Sequence, residues 1–332
     1  MLAHLPQCSQ RPNVERTTPM GDATGPLARD LLSELLRSVG FSSTVLCRSE
    51  LTAPWGFEVK ARGFGAFHIV LQGTCCLEVD GVAEQVWLGG GDLVILPRGS
   101  AHIVRDAPSS PTVALDRLAL GADENGFLRA GGDGPRTELL CGGLRFDDRA
   151  INPMLTALPR VVRLSALSGS LGGWVRSIFG FLASESTGPR AGREMIVSRI
   201  IDVLFVEAIR TFFESSDASQ SSFAAALRDP GLCEALASIH NAPQEDWDVE
   251  TLARQAGMSR TAFATQFAAL VGAPPLRYLS RYRMHKAAQL LRSSRATIAE
   301  IAESVGYDSD AGFSRAFKRV VGAAPAAYRS AR

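Results

Sequence analysis

Two stretches in the last third of the chain repeat one another, and the repeat leaves few folds open. When residues 252–275 are laid over 301–325, Leu252-Ala253 answers Ile301-Ala302 and Gly257 answers Gly306, at an offset of 49. Ser259, Phe263, Phe267, Gly272 and Pro275 then answer Ser309, Phe313, Phe317, Gly322 and Pro325 at an offset of 50, after one extra residue in the second turn. Each copy predicts a short helix, a tight turn at glycine, a serine able to cap, and a second helix with aromatic residues four apart. The glycine supplies the positive φ that such a turn demands, and the Phe pair lies on one helical face and packs it inward.

That packing decides which face of each second helix stays exposed. In the first copy it carries Arg260, Thr261, Ala264, Thr265 and Ala268; in the second, Asp310, Ala311, Ser314, Arg315 and Lys318. Between the copies, 276–291 reads as one helix with Tyr278, Leu279, Tyr282, Ala287 and Leu290 apolar. Such a helix would hold the two exposed faces about 34 Å apart, the spacing of successive major grooves of DNA.

Charge favours this over two helical hairpins that merely pack together. The whole chain has a net charge of +1, yet 251–332 holds 13 Lys and Arg against 4 Asp and Glu, a charge of +9. The other 250 residues hold 22 and 30, a charge of −8. A basic unit on an acidic body is what phosphate-backbone binding requires; RNA or a membrane surface would satisfy charge alone, and the duplicated fold is what selects DNA.

The stretches 252–259 (LARQAGMS), Arg283 with Ala287-Ala288, 301–307 (IAESVGY), 313–318 (FSRAFK) and Pro325 with Tyr328-Arg329 form one pattern. Through them the region 223–332 resembles the AraC/XylS family of transcription regulators. It implies a seven-helix domain with two recognition helices on one face of bent DNA. Carried over by position, Thr261, Ala264 and Thr265 would read for the first helix, and Asp310, Ala311, Ser314 and Arg315 for the second. The family often has Arg where this chain has Thr265, so readout by the first helix would lean on Arg260 and on the two threonines.

The N-terminal half has a different texture. Segments 67–71, 74–79, 86–88 and 93–96 alternate like strands, with a turn at Asp80-Gly81, and argue for a small antiparallel barrel or sandwich. Segments 137–141 and 161–164 are expected to add strands at its edge. The stretch 91–102 (GDLVILPRGSAH) fits G-x5-P-x-G-x2-H and resembles the second motif of cupins, in particular the cupin-type sensors that precede AraC-like units. A metal-binding cupin has two His and a Glu in its first motif. Here His68 is present, but the other positions fall on Val70 and on Thr74 or Cys75. His68, His102 and Cys141 are therefore candidate effector-pocket residues, and a candidate metal set only if Cys141 completes it.

Six cysteines in a 332-residue chain with no apparent secretory signal read as reduced cytoplasmic thiols. Cys75 and Cys76 alternate faces of a strand, so one is expected to be buried and inert, and Cys75 and Cys141 are the candidates for oxidant sensing, which the resemblance allows. A helix is expected from about 27, with Leu31, Leu32, Leu35, Leu36 and Val39 as its stripe, ending at Gly40. Helical spacing returns at Trp174, Ile178, Phe181 and Leu182, and again at Ile196, Ile200, Val203, Leu204, Ala208 and Phe212.

The expected organisation is α+β with two domains: a cupin-like antiparallel β-barrel with a helical extension, and an all-α double helix-turn-helix. Its divisions are a disordered 1–25, a sensor at 26–170, a dimerisation or inter-domain helical region at 171–214, a linker at 215–222 and the DNA-binding domain at 223–332. The expected function is a cytoplasmic, sequence-specific activator that binds double-stranded DNA, engages RNA polymerase, forms a homodimer and answers a small-molecule or oxidative effector. No residue is assigned as catalytic, no cofactor is named, and no apolar run is long enough for a membrane. The competing reading is a metal-dependent cupin enzyme with an attached helical domain.

Overall fold

The computed structural model describes residues 31–36, 40–124, 126–146, 155, 158–165, 172–185, 191–214 and 222–330. The 1–25 segment and nearly all of the expected linker lie outside the described residues, and of the first expected helix only 31–36 (α1) is described.

Eleven strands among the described residues form two sheets. They are β1 (Phe41–Thr52), β2 (Gly56–Val59), β3 (Gly65–Gln72), β4 (Thr74–Val79), β5 (Val86–Gly89), β6 (Asp92–Leu96), β7 (His102–Arg105), β8 (Val113–Ala114), β9 (Phe127–Gly131), β10 (Arg136–Phe146) and β11 (Val162–Ser165). One sheet runs β11-β6-β3-β10-β1-β9 and the other β5-β4-β7-β2-β8, with a short helix α2 (Leu115–Ala119) after β8. The β-rich, cupin-like fold is present as two facing sheets that do not hydrogen-bond into a closed barrel. Pairing is antiparallel except for β1 with β9 and β2 with β8.

Strand alternation sorts the side chains of the six-stranded sheet. Val70, Val94, Leu96, Leu139 and Cys141 meet Phe57, Val59, Cys75, Leu77, Val79 and Val104 of the opposite sheet. Phe67, Ile69, Leu93, Ile95, Leu140 and Leu144 face the other way, onto α3 (Gly172–Glu185) and α4 (Arg193–Glu214). The 137–141 segment is corrected by this arrangement: it belongs to an eleven-residue strand paired on both sides, by β1 and β3, and not to an edge. Covered on both faces, it reads as a continuous apolar run without the alternation of a half-exposed strand. Segment 161–164 does lie in an edge strand, β11.

The helical stripes are met in part: Leu182, Leu204 and Ala208 are buried and Ile178, Ile200 and Phe212 half-buried as expected, but four expected residues face outward. In α3 the buried residues are Val175, Phe179 and Leu182, while Trp174 and Phe181 are exposed. In α4 they are Val197, Ile201, Leu204, Phe205, Ala208, Ile209 and Phe213, while Ile196 and Val203 are exposed. Both helices carry apolar residues around more than half their circumference, and periodicity alone cannot choose the face the sheet covers.

The C-terminal region is wholly helical. A short helix α5 (Ser222–Arg228) precedes seven more: α6 (Pro230–Asn241), α7 (Val249–Gln255), α8 (Arg260–Val271), α9 (Pro275–Ser293), α10 (Ile298–Ser304), α11 (Asp310–Val321) and α12 (Pro325–Ser330). The N-terminal half of α9 packs Tyr278, Leu279 and Tyr282 with Phe263 and Phe267. Its C-terminal half packs Met284, Ala287, Ala288 and Leu291 with Phe313 and Phe317. One helix is thereby the spine of both units.

Candidate nucleic-acid interface and sensor core

The two helix-turn-helix units are built alike. Ser259 accepts from the Ala262 N–H at 3.3 Å and starts α8; Ser309 accepts from the Gly312 N–H at 3.2 Å and starts α11. The turn glycines Gly257 and Gly306 sit at φ +65° and +78°, and each second helix ends on a left-handed glycine, Gly272 or Gly322. All four phenylalanines are fully buried, paired at ring-centroid distances of 5.4 Å and 5.6 Å.

With those faces turned inward, Arg260, Thr261 and Thr265 are exposed on α8, and Ala264 and Ala268 are half-buried. On α11, Asp310, Ala311, Arg315 and Lys318 are exposed and Ser314 is half-buried. Arg319, one turn beyond Arg315, is exposed too and was legible from its i+4 spacing. The second helix thus offers three cations in a turn and a half, where the first offers Arg260 at its start.

Arg283 ties the units together. From α9 its guanidinium donates to the carbonyls of Pro243 at 2.6 Å, Glu245 at 2.8 Å and Gly306 at 3.1 Å, and lies over the Tyr307 ring. The loop leaving α6 is thereby fastened to the turn of the second unit.

In the β domain, His68 and His102 are each 3% exposed and bridge the facing sheets, Nε2 to Nε2, at 2.8 Å. Burial holds both imidazoles below their ordinary range, hence neutral. The Ser100 carbonyl, 2.8 Å from His102 Nδ1, can only accept, which places the His102 proton on Nδ1. His102 Nε2 must then accept from His68 Nε2–H, leaving His68 Nδ1 to accept from the Cys141 thiol at 3.1 Å.

The sequence therefore identified three residues that do meet, but not as a metal set. Cys141 and His102 engage opposite nitrogens of the His68 ring, so their donor atoms do not converge on one ion. Among the described residues no cluster of three or more His, Cys, Asp or Glu is placed to hold a metal. Val70 is buried in the inter-sheet core beside Cys75, whose thiol is pushed up to about 12 by burial. Cys76 is buried as well, so both thiols of that pair are packed.

Cys47 was missed. Register shifts at a bulge between Val45 and Cys47, placing Cys47 directly opposite Cys141. Before the bulge Val45 packs toward α4; after it Cys47 packs into the inter-sheet core, because one inserted residue reverses the facing of the strand. The neighbouring Cys141 and Ser49 side chains hold the Cys47 pKa down to about 7, while Cys47 and burial push Cys141 up.

A family described as Cupin matches residues 30–214, and a family described as Helix-turn-helix domain matches 252–331. The HTH-type transcriptional regulator AlkR of Acinetobacter baylyi is 31% identical over 315 residues, covering 90% of this chain and 99% of AlkR. A putative AraC-like transcription regulator of Streptomyces lividans is 35% identical over 275 residues, covering 83% of this chain and 90% of its own. The RCS-specific HTH-type transcriptional activator RclR of Escherichia coli K12 is 30% identical over 303 residues, covering 90% and 97%. The chain belongs to the AraC family of transcription regulators.

As an AraC-family regulator with a cupin-type N-terminal domain, it is not an enzyme, and the metal-dependent cupin reading falls. No described helix is long and apolar enough to cross a membrane. In this regulator the apolar packing runs without interruption from the sheet through α4 to the first DNA-binding unit, by way of Phe205, Ile209, Phe213 and Phe223. Arg228 of α5 also donates to the Phe213 carbonyl at 3.3 Å.

Proposed function

We propose that this AraC-family regulator is a sequence-specific activator that lays α8 and α11 in successive major grooves, under the control of a small-molecule or oxidative signal received by the cupin-like domain. The observation that carries the reading is the pair of reader faces, set by matched caps and buried Phe pairs on one spine helix. Arg315 and Ser314 read bases on the second helix, Asp310 and Ala311 lie beside them, and Lys318 holds phosphate. On the first helix Arg260, Thr261 and Thr265 make the polar contacts, while Ala264 offers only its methyl to a thymine.

The activator sense draws support from RclR, whose name states it, and implies contact with RNA polymerase. A cavity of about 950 Å³ between β1, β9 and the start of α4, lined by Cys47, Arg48, Phe127, Arg129 and Ser198 among others, suits a small-molecule effector. The exposed Trp174, Phe181, Ile196 and Val203 on α3 and α4 suit a homodimer contact. The working division is a sensor at 26–170, helices at 171–214, a linker at 215–222 and a DNA-binding domain at 223–332, in a cytoplasmic protein.

Selection of operator DNA from a random pool tests the reading. Enriched sequences with two conserved blocks about one helical turn apart support it. A pool with no enriched sequence, or with one short block only, contradicts it.

A further inference from the structure

We infer that Asp229 is the positioning residue for α8: its carboxylate holds Gln266 and so sets the pose of the first reader helix, a tie that the second reader helix lacks. The inference deepens the proposed function and rests on its reading of α8 as a DNA reader.

Asp229 lies between α5 and α6. Its Oδ1 accepts from the Leu232 N–H at 2.9 Å and caps α6, with Pro230 in the first turn. Its Oδ2 accepts from Gln266 Nε2 of α8, also at 2.9 Å. One carboxylate therefore starts one helix and grips another. A carboxylate can only accept, so the amide nitrogen of Gln266, and not its oxygen, faces it.

That bond supplies what the apolar contacts do not. Phe263 and Phe267 bury one face of α8, and apolar contact is non-directional. The bond from Gln266 is directional and has a charged acceptor, which makes it stronger than a neutral pair. Gln266 follows Thr265 by one residue, about 100° round the helix. Fixing its side chain fixes the rotation at which Thr261 and Thr265 stand exposed.

The corner that carries Asp229 is itself fastened to the sensor. Helix α5 packs on α8, and its Phe223 meets Phe213 of α4 at a ring-centroid distance of 6.3 Å. Both rings belong to the apolar core that also holds Phe263 and Phe267. The core of the second unit, with Phe313 and Phe317, is separate. At the position of α11 that answers Gln266 stands Ala316, which is buried and has no group for such a bond. A shift of α4 therefore bears first on α8.

The test uses full-length protein and two substitutions. Gln266→Glu sets a second carboxylate against Asp229, and the two repel. Asp229→Asn in that background keeps the cap, since Asn caps as well as Asp, and its amide donates to the introduced glutamate. Hydrogen exchange of the free protein, read by mass spectrometry, should show α8 peptides exchanging roughly tenfold faster in Gln266→Glu, with α11 peptides unchanged. The double variant should restore the wild-type rate. Faster exchange in both helices alike, no change in α8, or no restoration overturns the inference. On selected operator DNA, Gln266→Glu should lose protection first at the α8 block and regain it in the double variant. Altered and restored exchange in α8 with operator binding unchanged upholds the tie and contradicts the reading of α8 as a DNA reader.

Discussion

Arg283 donates to the carbonyl of Gly306 at 3.1 Å, so the spine helix holds the turn of the second helix-turn-helix by its backbone. With Pro243 and Glu245 held by the same guanidinium, three carbonyls depend on one side chain. Arg283→Ala is expected to destabilise the DNA-binding region by about 2–3 kcal/mol, and Arg283→Lys to recover little of it, since an ammonium cannot reproduce the planar fork. Urea denaturation of each variant measures this; equal stability of Arg283→Lys and wild type would count against the clamp.

The two turn glycines should answer substitution unequally. Both have positive φ, which costs a non-glycine residue about 1 kcal/mol or more. A Cβ on Gly257 meets nothing within 4 Å, while one on Gly306 lies 2.6 Å from the Gln244 carbonyl oxygen and 2.7 Å from Arg283 Nη2. Gly306→Ala is therefore expected to lower stability by at least about 1 kcal/mol more than Gly257→Ala. The reverse order in a denaturant midpoint series would contradict the packing.

The reader helices should be unequal too. Arg315→Ala is expected to weaken operator binding by about 1–3 kcal/mol and to relax preference at one base pair. Lys318→Ala should weaken all sequences alike and reduce the salt slope by about 1. Thr265→Ala should cost less than Arg315→Ala. Quantitative gel shifts at two or more salt concentrations separate these outcomes, and a larger effect at Thr265 would invert the assignment.

Acid should loosen the domain through His240. This imidazole is buried against Tyr278, 2.8 Å from its hydroxyl, and burial, aided by His285 and Lys286, pushes its pKa down to about 3. In the unfolded chain the group titrates near ~6.5. Between these values the unfolded state binds the extra proton, so this contribution is whole above about pH 6.5 and is lost as pH falls toward 3. Stability is expected to drop by about 2 kcal/mol from pH 7 to pH 5, with a shallower slope in His240→Gln. A flat profile over that window would refute it.

Much of the DNA-binding region was legible because each of its constraints is local. A positive-φ glycine, a capping serine and two phenylalanines four apart all act within one turn of chain, and their duplication marked them as a unit. The sensor was legible only as a class. His68, His102 and Cys141 were identified, but their meeting depends on β3, β7 and β10, which are distant in sequence. Cys47 escaped because its facing is set by a bulge, which strand alternation does not reveal. The covered faces of α3 and α4 were legible only in part: Leu182, Leu204 and Ala208 are buried as expected, but Trp174, Phe181, Ile196 and Val203, as apolar as their covered neighbours, are exposed.

Those exposed residues make their own prediction. If α3 and α4 carry the homodimer contact, Val203→Asp together with Ile196→Asp should convert dimer to monomer with the fold intact, as read by sedimentation and circular dichroism. A wild-type protein that sediments as a monomer at tens of micromolar would exclude that contact.

The proposed function has α8 and α11 reading DNA together from one spine helix. Footprinting of the full-length protein on a selected operator, at moderate salt, tests it most directly. Major-groove protection is expected in two blocks about one helical turn apart, the α11 block failing first in Arg315→Ala. One protected block, or two blocks unaffected by substitution on either helix, would contradict it.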